Sequence, residues 1–64
     1  MLNGDKLRQF RRSRRISLAR LCAVTGISIS QLSRYECGYV PNVTVMTIRK
    51  IEQALGVPAG FFLE

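Results

Sequence analysis

Apolar residues recur along this chain in a fixed relation to residues that can cap a helix. Leu2–Asn3–Leu7, Ile16–Ser17–Leu21, Ile27–Ser28–Leu32 and Val43–Thr44–Ile48 each place an apolar residue before a cap and another four positions after it. Asn, Ser and Thr side chains accept a hydrogen bond from an orphan N–H of the first helical turn. The flanking apolar pair then closes over the cap as a hydrophobic staple, and Gln31 adds a capping box to Ser28. These starts predict helices over residues 4–14, 18–25, 29–36 and 45–55. Spacing within each agrees. Leu7, Phe10 and Arg14 share one face of the first. Leu18, Leu21, Cys22 and Thr25 share one face of the second, and Val45, Ile48, Ile51 and Leu55 one face of the fourth. Gly26, Gly38 and Gly56 follow the second, third and fourth helices, where a left-handed residue ends a helix. Pro58 suits the start of a short fifth helix, 58–63, carrying Phe61, Phe62 and Leu63.

Between Gly26 and Leu32 the pattern alternates instead, as Ile27, Ser28, Ile29, Ser30, Gln31, Leu32. Alternation is the mark of a half-buried strand. No other segment reads as a strand, so a strand here has nothing to pair with, and the capping signal at Ser28 favours a helix. On that helix Ser28, Leu32 and Tyr35 fall on one side and Ile29, Ser30, Ser33 and Arg34 on the other. Ile27 and Leu32 then belong to the core, and Ile29 faces outward with two serines and an arginine.

Length and charge give that outward face a meaning. The chain has 64 residues and reads as one domain, 1–64; a domain so small is only marginally stable. Its two cysteines, Cys22 and Cys37, cannot form a multi-disulfide framework and match no metal spacing. Both are read as reduced, small apolar residues of a cytoplasmic protein. No apolar run is long enough for a membrane span, and no signal-peptide pattern opens the chain. There is no histidine, no paired carboxylate and no Gly-rich phosphate loop, so neither an enzyme nor a cofactor, metal or small-molecule ligand is expected. Ten Lys and Arg face four Asp and Glu, a net charge of +6. Lys6, Arg8, Arg11, Arg12, Arg14, Arg15 and Arg20 crowd one stretch. Such density points to a polyanionic partner. An outward Ile can touch thymine methyls, Ser can reach base edges or phosphate, and Arg can pair with guanine O6 and N7 in a major groove. The plainer alternative packs Ile29 on a neighbouring helix and leaves Arg34 solvated.

SLARLCAVTGISISQLSRYECG, two helices joined by a tight Gly-centred link, resembles the helix-turn-helix of the phage-repressor class, the Cro and Xre-like regulators. Leu7, Arg11, Ser17, Leu21, Gly26, Ser28, Leu32, Glu36, Gly38 and the close Ala54-Leu55-Gly56-Val57 carry the resemblance. It implies an all-α, compact five-helix bundle of the lambda-repressor-like type, with the helix-turn-helix at helices two and three. It implies sequence-specific binding of double-stranded DNA by a transcriptional regulator, with helix 29–36 in the major groove. By position, Ile29, Ser30, Ser33 and Arg34 would read bases. Arg15, Ser17, Leu18, Ser28, Gln31, Tyr39 and Asn42 would hold phosphates. Arg11 would pair with Glu36, and its place beside Leu7 and Phe10 agrees, since a charge there needs a partner.

This chain departs from the family at four positions. Leu18 stands where Gln is frequent, leaving only backbone for a phosphate contact. Cys22 replaces a small Ala, and Arg15 replaces a Gly in the turn, at a left-handed cost. Glu52 replaces a small apolar residue, so helix four is expected to sit less deeply there. A single module presents few contacts, so a homodimer on a palindromic operator is expected, with Phe61, Phe62 and Leu63 as its candidate surface. The competing reading is an RNA- or protein-binding helical adaptor using the Arg-rich face.

Overall fold

The computed structural model describes residues 2–40 and 42–63, with the side chains of Tyr39 and Val40 left outside that set. In chain order the elements are β1 (Leu2–Asn3), α1 (Gly4–Ser13), α2 (Leu18–Thr25), α3 (Ile29–Tyr35), β2 (Tyr39–Val40) and α4 (Val45–Leu55). Each helix starts where a cap was expected. Asn3, Ser17, Ser28 and Thr44 hold extended backbone, and their side chains accept from the N–H of Lys6, Arg20, Gln31 and Thr47. Gly26 and Gly56 end α2 and α4 in the left-handed conformation, at φ 77° and 70°. Gly38 is left-handed too, but lies beyond the α3 cap, Glu36.

The staples meet in one core of Leu2, Leu7, Leu21, Ile27, Leu32, Ile48, Ile51 and Phe62. Phe10, Phe61 and Phe62 meet edge to face at its margin, with ring centroids 5.0–5.9 Å apart. Such pairs add stabilisation beyond the area they bury. Half-buried Cys22 packs against this core, whereas Cys37 is exposed and donates its thiol to the Ser33 carbonyl. Only one of the two cysteines therefore behaves as a small core residue.

The structure corrects several expectations. Four helices are present among the described residues, not five. Residues 58–63 turn instead, through Phe61 N–H to Pro58 O and Leu63 N–H to Gly60 O. Gly60 is left-handed at φ 87°, and its N–H is drawn away to the Glu52 carboxylate at 2.8 Å. Glu52 is thus buried, and α4 packs closely there because the carboxylate has a backbone donor to satisfy it. Val45 is exposed rather than core, since the buried face of α4 is made by Ile48, Ile51 and Glu52, with Leu55 half-buried beside them. Phe62 closes the core and is unavailable to a second chain, while Phe61 is half-buried and Leu63 exposed.

A strand pair is the other correction. β1 runs antiparallel to β2 with Leu2 opposite Val40 and Asn3 opposite Tyr39, and Leu2 also bridges Leu63. Asn3 N–H donates to Phe62 O and Gly4 N–H to Gly38 O, both at 2.7 Å. The first residues therefore tie the segment after α3 to the end of the chain. Gly4 permits this: a Cβ there would run into the carbonyl oxygens of Tyr35 and Gly38. Backbone gives way less easily than side chains, and overpacking costs about 1–3 kcal/mol. Gly4→Ala should lower stability by about 3 kcal/mol, read as an earlier urea midpoint. An unchanged midpoint would show that the two backbones are free to separate.

Candidate nucleic-acid interface

The helix-turn-helix is held from inside by apolar residues and from its ends by polar ones. Leu21, Ile27 and Leu32 are buried and fix α2, the turn and α3 against the core. Within the turn, the Thr25 hydroxyl donates to Leu21 O at 2.7 Å and accepts from Ile27 N–H at 3.2 Å. Gly26 N–H donates to Cys22 O at 2.8 Å. Helical period places Thr25 on an apolar face, yet it staples the turn. Its position directly before the C-terminal glycine was the signal.

With its inner face fixed, α3 turns Ile29, Ser30, Gln31, Ser33 and Arg34 to solvent. Ile29 is 46% exposed, so the alternative in which it packs on a neighbouring helix does not hold. Ser28 Oγ accepts from Gln31 N–H at 3.2 Å and Ser17 Oγ from Arg20 N–H at 3.0 Å. Each hydroxyl keeps its own proton to donate outward. Leu18 packs its side chain against the core, leaving its backbone N–H at the positive end of α2. Asn42 and Arg15 are exposed. Arg15 adopts φ 56°, the left-handed strain its sequence position implied. Tyr39 contributes backbone to β2, and its side chain lies outside the described residues. Arg14 lies over the Phe10 ring and Lys6 over the Phe61 ring, so two cations of the basic stretch are held at the aromatic margin.

Arg11 and Glu36 form the expected pair, buried and bidentate. Arg11 Nε donates to Oε2 at 2.6 Å and an η-nitrogen to Oε1 at 3.0 Å. The other η-nitrogen donates to the carbonyl of Ile16 at 2.7 Å. Sequence did not indicate this third bond. The hydrogen bond that Arg11 donates to Glu36 raises the Arg11 pKa above its ordinary value, burial opposes the shift, and the carboxylate charge adds to it. A raised folded-state pKa means that this contribution is complete below the ordinary arginine value. It declines only as pH rises through the folded value, far into alkali.

Two comparisons bear on this geometry. The helix-turn-helix family matches residues 7–62. A protein of Methanocella arvoryzae (strain DSM 22066 / NBRC 105507 / MRE50), named "Putative HTH-type transcriptional regulatory protein", is 35% identical over 57 residues. That match covers 89% of this chain and 17% of the Methanocella protein, so the chain spans about one-sixth of the relative's length.

Removing either partner of the buried pair strands the other, at a cost of about 3 kcal/mol. Arg11→Ala and Glu36→Ala should each lower the denaturation midpoint accordingly. Arg11→Lys should not restore it, because an ammonium cannot match both carboxylate oxygens and the Ile16 carbonyl together. Midpoints equal to the parent chain for all three would show that the pair contributes nothing.

Proposed function

Because this chain belongs to the Cro/C1-type helix-turn-helix family, we propose that it is a sequence-specific, duplex-DNA-binding transcriptional regulator that lays α3 in the major groove. One observation carries the reading. α3 buries Leu32 while presenting Ile29, Ser30, Ser33 and Arg34 on a single exposed face. These side chains match what a major groove displays: thymine methyls for Ile29, base edges for the serines, and guanine O6 and N7 for Arg34. Arg15, Ser17, Ser28, Gln31, Tyr39, Asn42 and the backbone N–H of Leu18 take the flanking phosphates. Their work is register and general affinity.

The regulator binds as a two-fold dimer on a palindromic operator, since a single module buries only about 600–1,000 Å² against DNA. Phe61 and Leu63 remain partly accessible for the partner copy. It works where the DNA is, in the cytoplasm. The Arg-rich stretch supplies long-range attraction rather than a separate RNA- or protein-binding function.

A dimer that neutralises about six phosphates should lose about a thousandfold in affinity between about 50 and 200 mM salt. A flat titration would contradict the charge-driven account. Selection from a random duplex pool should return an inverted repeat; a single unrepeated motif would contradict the dimer.

The two arginines should separate. Arg34→Ala should cost about 1–3 kcal/mol on a selected site and little on random duplex. Arg15→Gly should weaken both duplexes alike and lower the salt slope by about one. The same change relieves the left-handed strain, so it should leave stability unchanged or raise it by about 1 kcal/mol. Equal losses on the two duplexes for Arg34→Ala would leave base reading to Ile29 and the serines.

A further inference from the structure

The outward stripe of α4 is not used by the reading above. At roughly 100° per residue, Val45, Met46, Arg49, Lys50 and Gln53 fall on one side of this helix, away from the buried Ile48 and Ile51. All five are exposed, Met46 at 74%. Across from the stripe stands the C-terminal end of α2, where Val24 is 62% exposed. Val24, Thr25, Lys50, Gln53 and Ala54 line an open groove of about 320 Å³ between the two helices. Met46 lies one turn above Lys50 on the same face, which extends the apolar lining beyond the groove.

The polar chemistry of the groove is one-sided. Thr25 spends its hydroxyl on Leu21 and Ile27. Among the described residues, neither Lys50 nor Arg49 has a carboxylate within ion-pair distance. Glu52, one turn from Arg49, points inward to Gly60. What remains is a groove with Val24 and Ala54 as its apolar walls and the Lys50 ammonium and Gln53 carboxamide in its lining, next to the exposed Arg49. Exposed apolar side chains scattered singly need no explanation, but grouped around a groove they mark an interaction site. A flexible Met at the margin suits an adaptable surface.

We propose that the α2/α4 groove binds an acidic, apolar helical segment of another protein, with an apolar side chain entering between Val24 and Ala54 and carboxylates pairing with Lys50 and Arg49. Charge complementarity selects this occupant. A second copy of the chain fits poorly. Of its carboxylates among the described residues, Glu36 and Glu52 are buried, leaving Asp5 exposed. A nucleic acid would use the cations and leave Val24 and Met46 without a partner. The groove lies at the far end of α2 from Ser17 and Leu18, about 9 Å along the helix, and the proposal has a DNA-bound chain leave it open.

The test uses the full chain, ¹⁵N-labelled, titrated with a helical peptide of about 18 residues built from Leu on one face and Glu on the other. A second peptide of equal charge carries serine in place of leucine. The proposal expects amide shifts centred on Val24, Lys50, Gln53 and Ala54, for the leucine peptide only. Val24→Glu and Lys50→Glu, both at exposed positions, should each weaken binding by about tenfold, the loss of one anchor contact. Folding, followed by the amide spectrum, should be unchanged. Binding should persist with duplex DNA at saturation; this arm alone depends on the DNA reading, and the peptide arms stand without it. Equal binding of the two peptides would overturn the proposal. So would shifts confined to Arg15, Ser17 and Arg34 that duplex DNA displaces. Concentration-dependent self-association abolished by Val24→Glu would give the groove to a second copy instead.

Discussion

The guanidinium of Arg11 is bonded at once to α3, through both oxygens of Glu36, and to the turn before α2, through the Ile16 carbonyl. The end of α1, the turn just after it and the end of α3, 25 residues on, are thereby held at one point. A buried ion pair is not a strong source of net stability, because desolvation offsets much of its Coulomb gain. Its geometry is what matters here. A planar fork with fixed donors accepts only one arrangement of α1, the turn and the end of α3. With eight buried apolar side chains among the described residues, packing leaves room for helices to slide, and directional bonds limit it.

The end of α3 is fixed a second time. β1 pairs with β2 just after α3, Gly4 N–H donates to Gly38 O, and the Gly4 backbone sits against the Tyr35 carbonyl. The start of α3 is fixed by Ser28, Ile27 and the Thr25–Gly26 turn. Both ends of a seven-residue helix are therefore anchored, although so short a helix has little stability of its own. A rigid support is what lets four exposed side chains present a constant pattern of donors and methyl groups.

Burial also sorts the charge. Glu36 and Glu52 face inward, each satisfied by a donor inside the protein. Arg11 is consumed by Glu36, and Lys6 and Arg14 rest on aromatic rings. All the other cations are exposed, and among the described residues Asp5 is the one exposed carboxylate, so this surface is more basic than the composition alone implies. That excess is the electrostatic feature on which both the proposed DNA contact and the proposed α2/α4 contact draw.

Local chemistry was legible in the sequence wherever it acts within a few residues. Caps at Asn3, Ser17, Ser28 and Thr44, the left-handed turns at Gly26 and Gly56, and the strain at Arg15 follow from side-chain oxygens and steric rules that need no distant partner. The outward face of α3 was legible for the same reason, since helical period alone separates Ile29 from Leu32. Tertiary structure decided the rest. A Pro58 start suggested a fifth helix, but the Glu52 carboxylate and the bridge from Leu63 to Leu2 draw that backbone into turns. Leu2 and Asn3 are too few to announce a strand, and become one only because residues 39 and 40 lie alongside. Glu52 looked misplaced until a backbone N–H eight residues on came within reach. Gly4 gave no signal, because its small size matters only once the Tyr35 and Gly38 carbonyls close over it. Short-range bonds are written in residue order; contacts between backbones far apart in sequence exist only after the chain has folded.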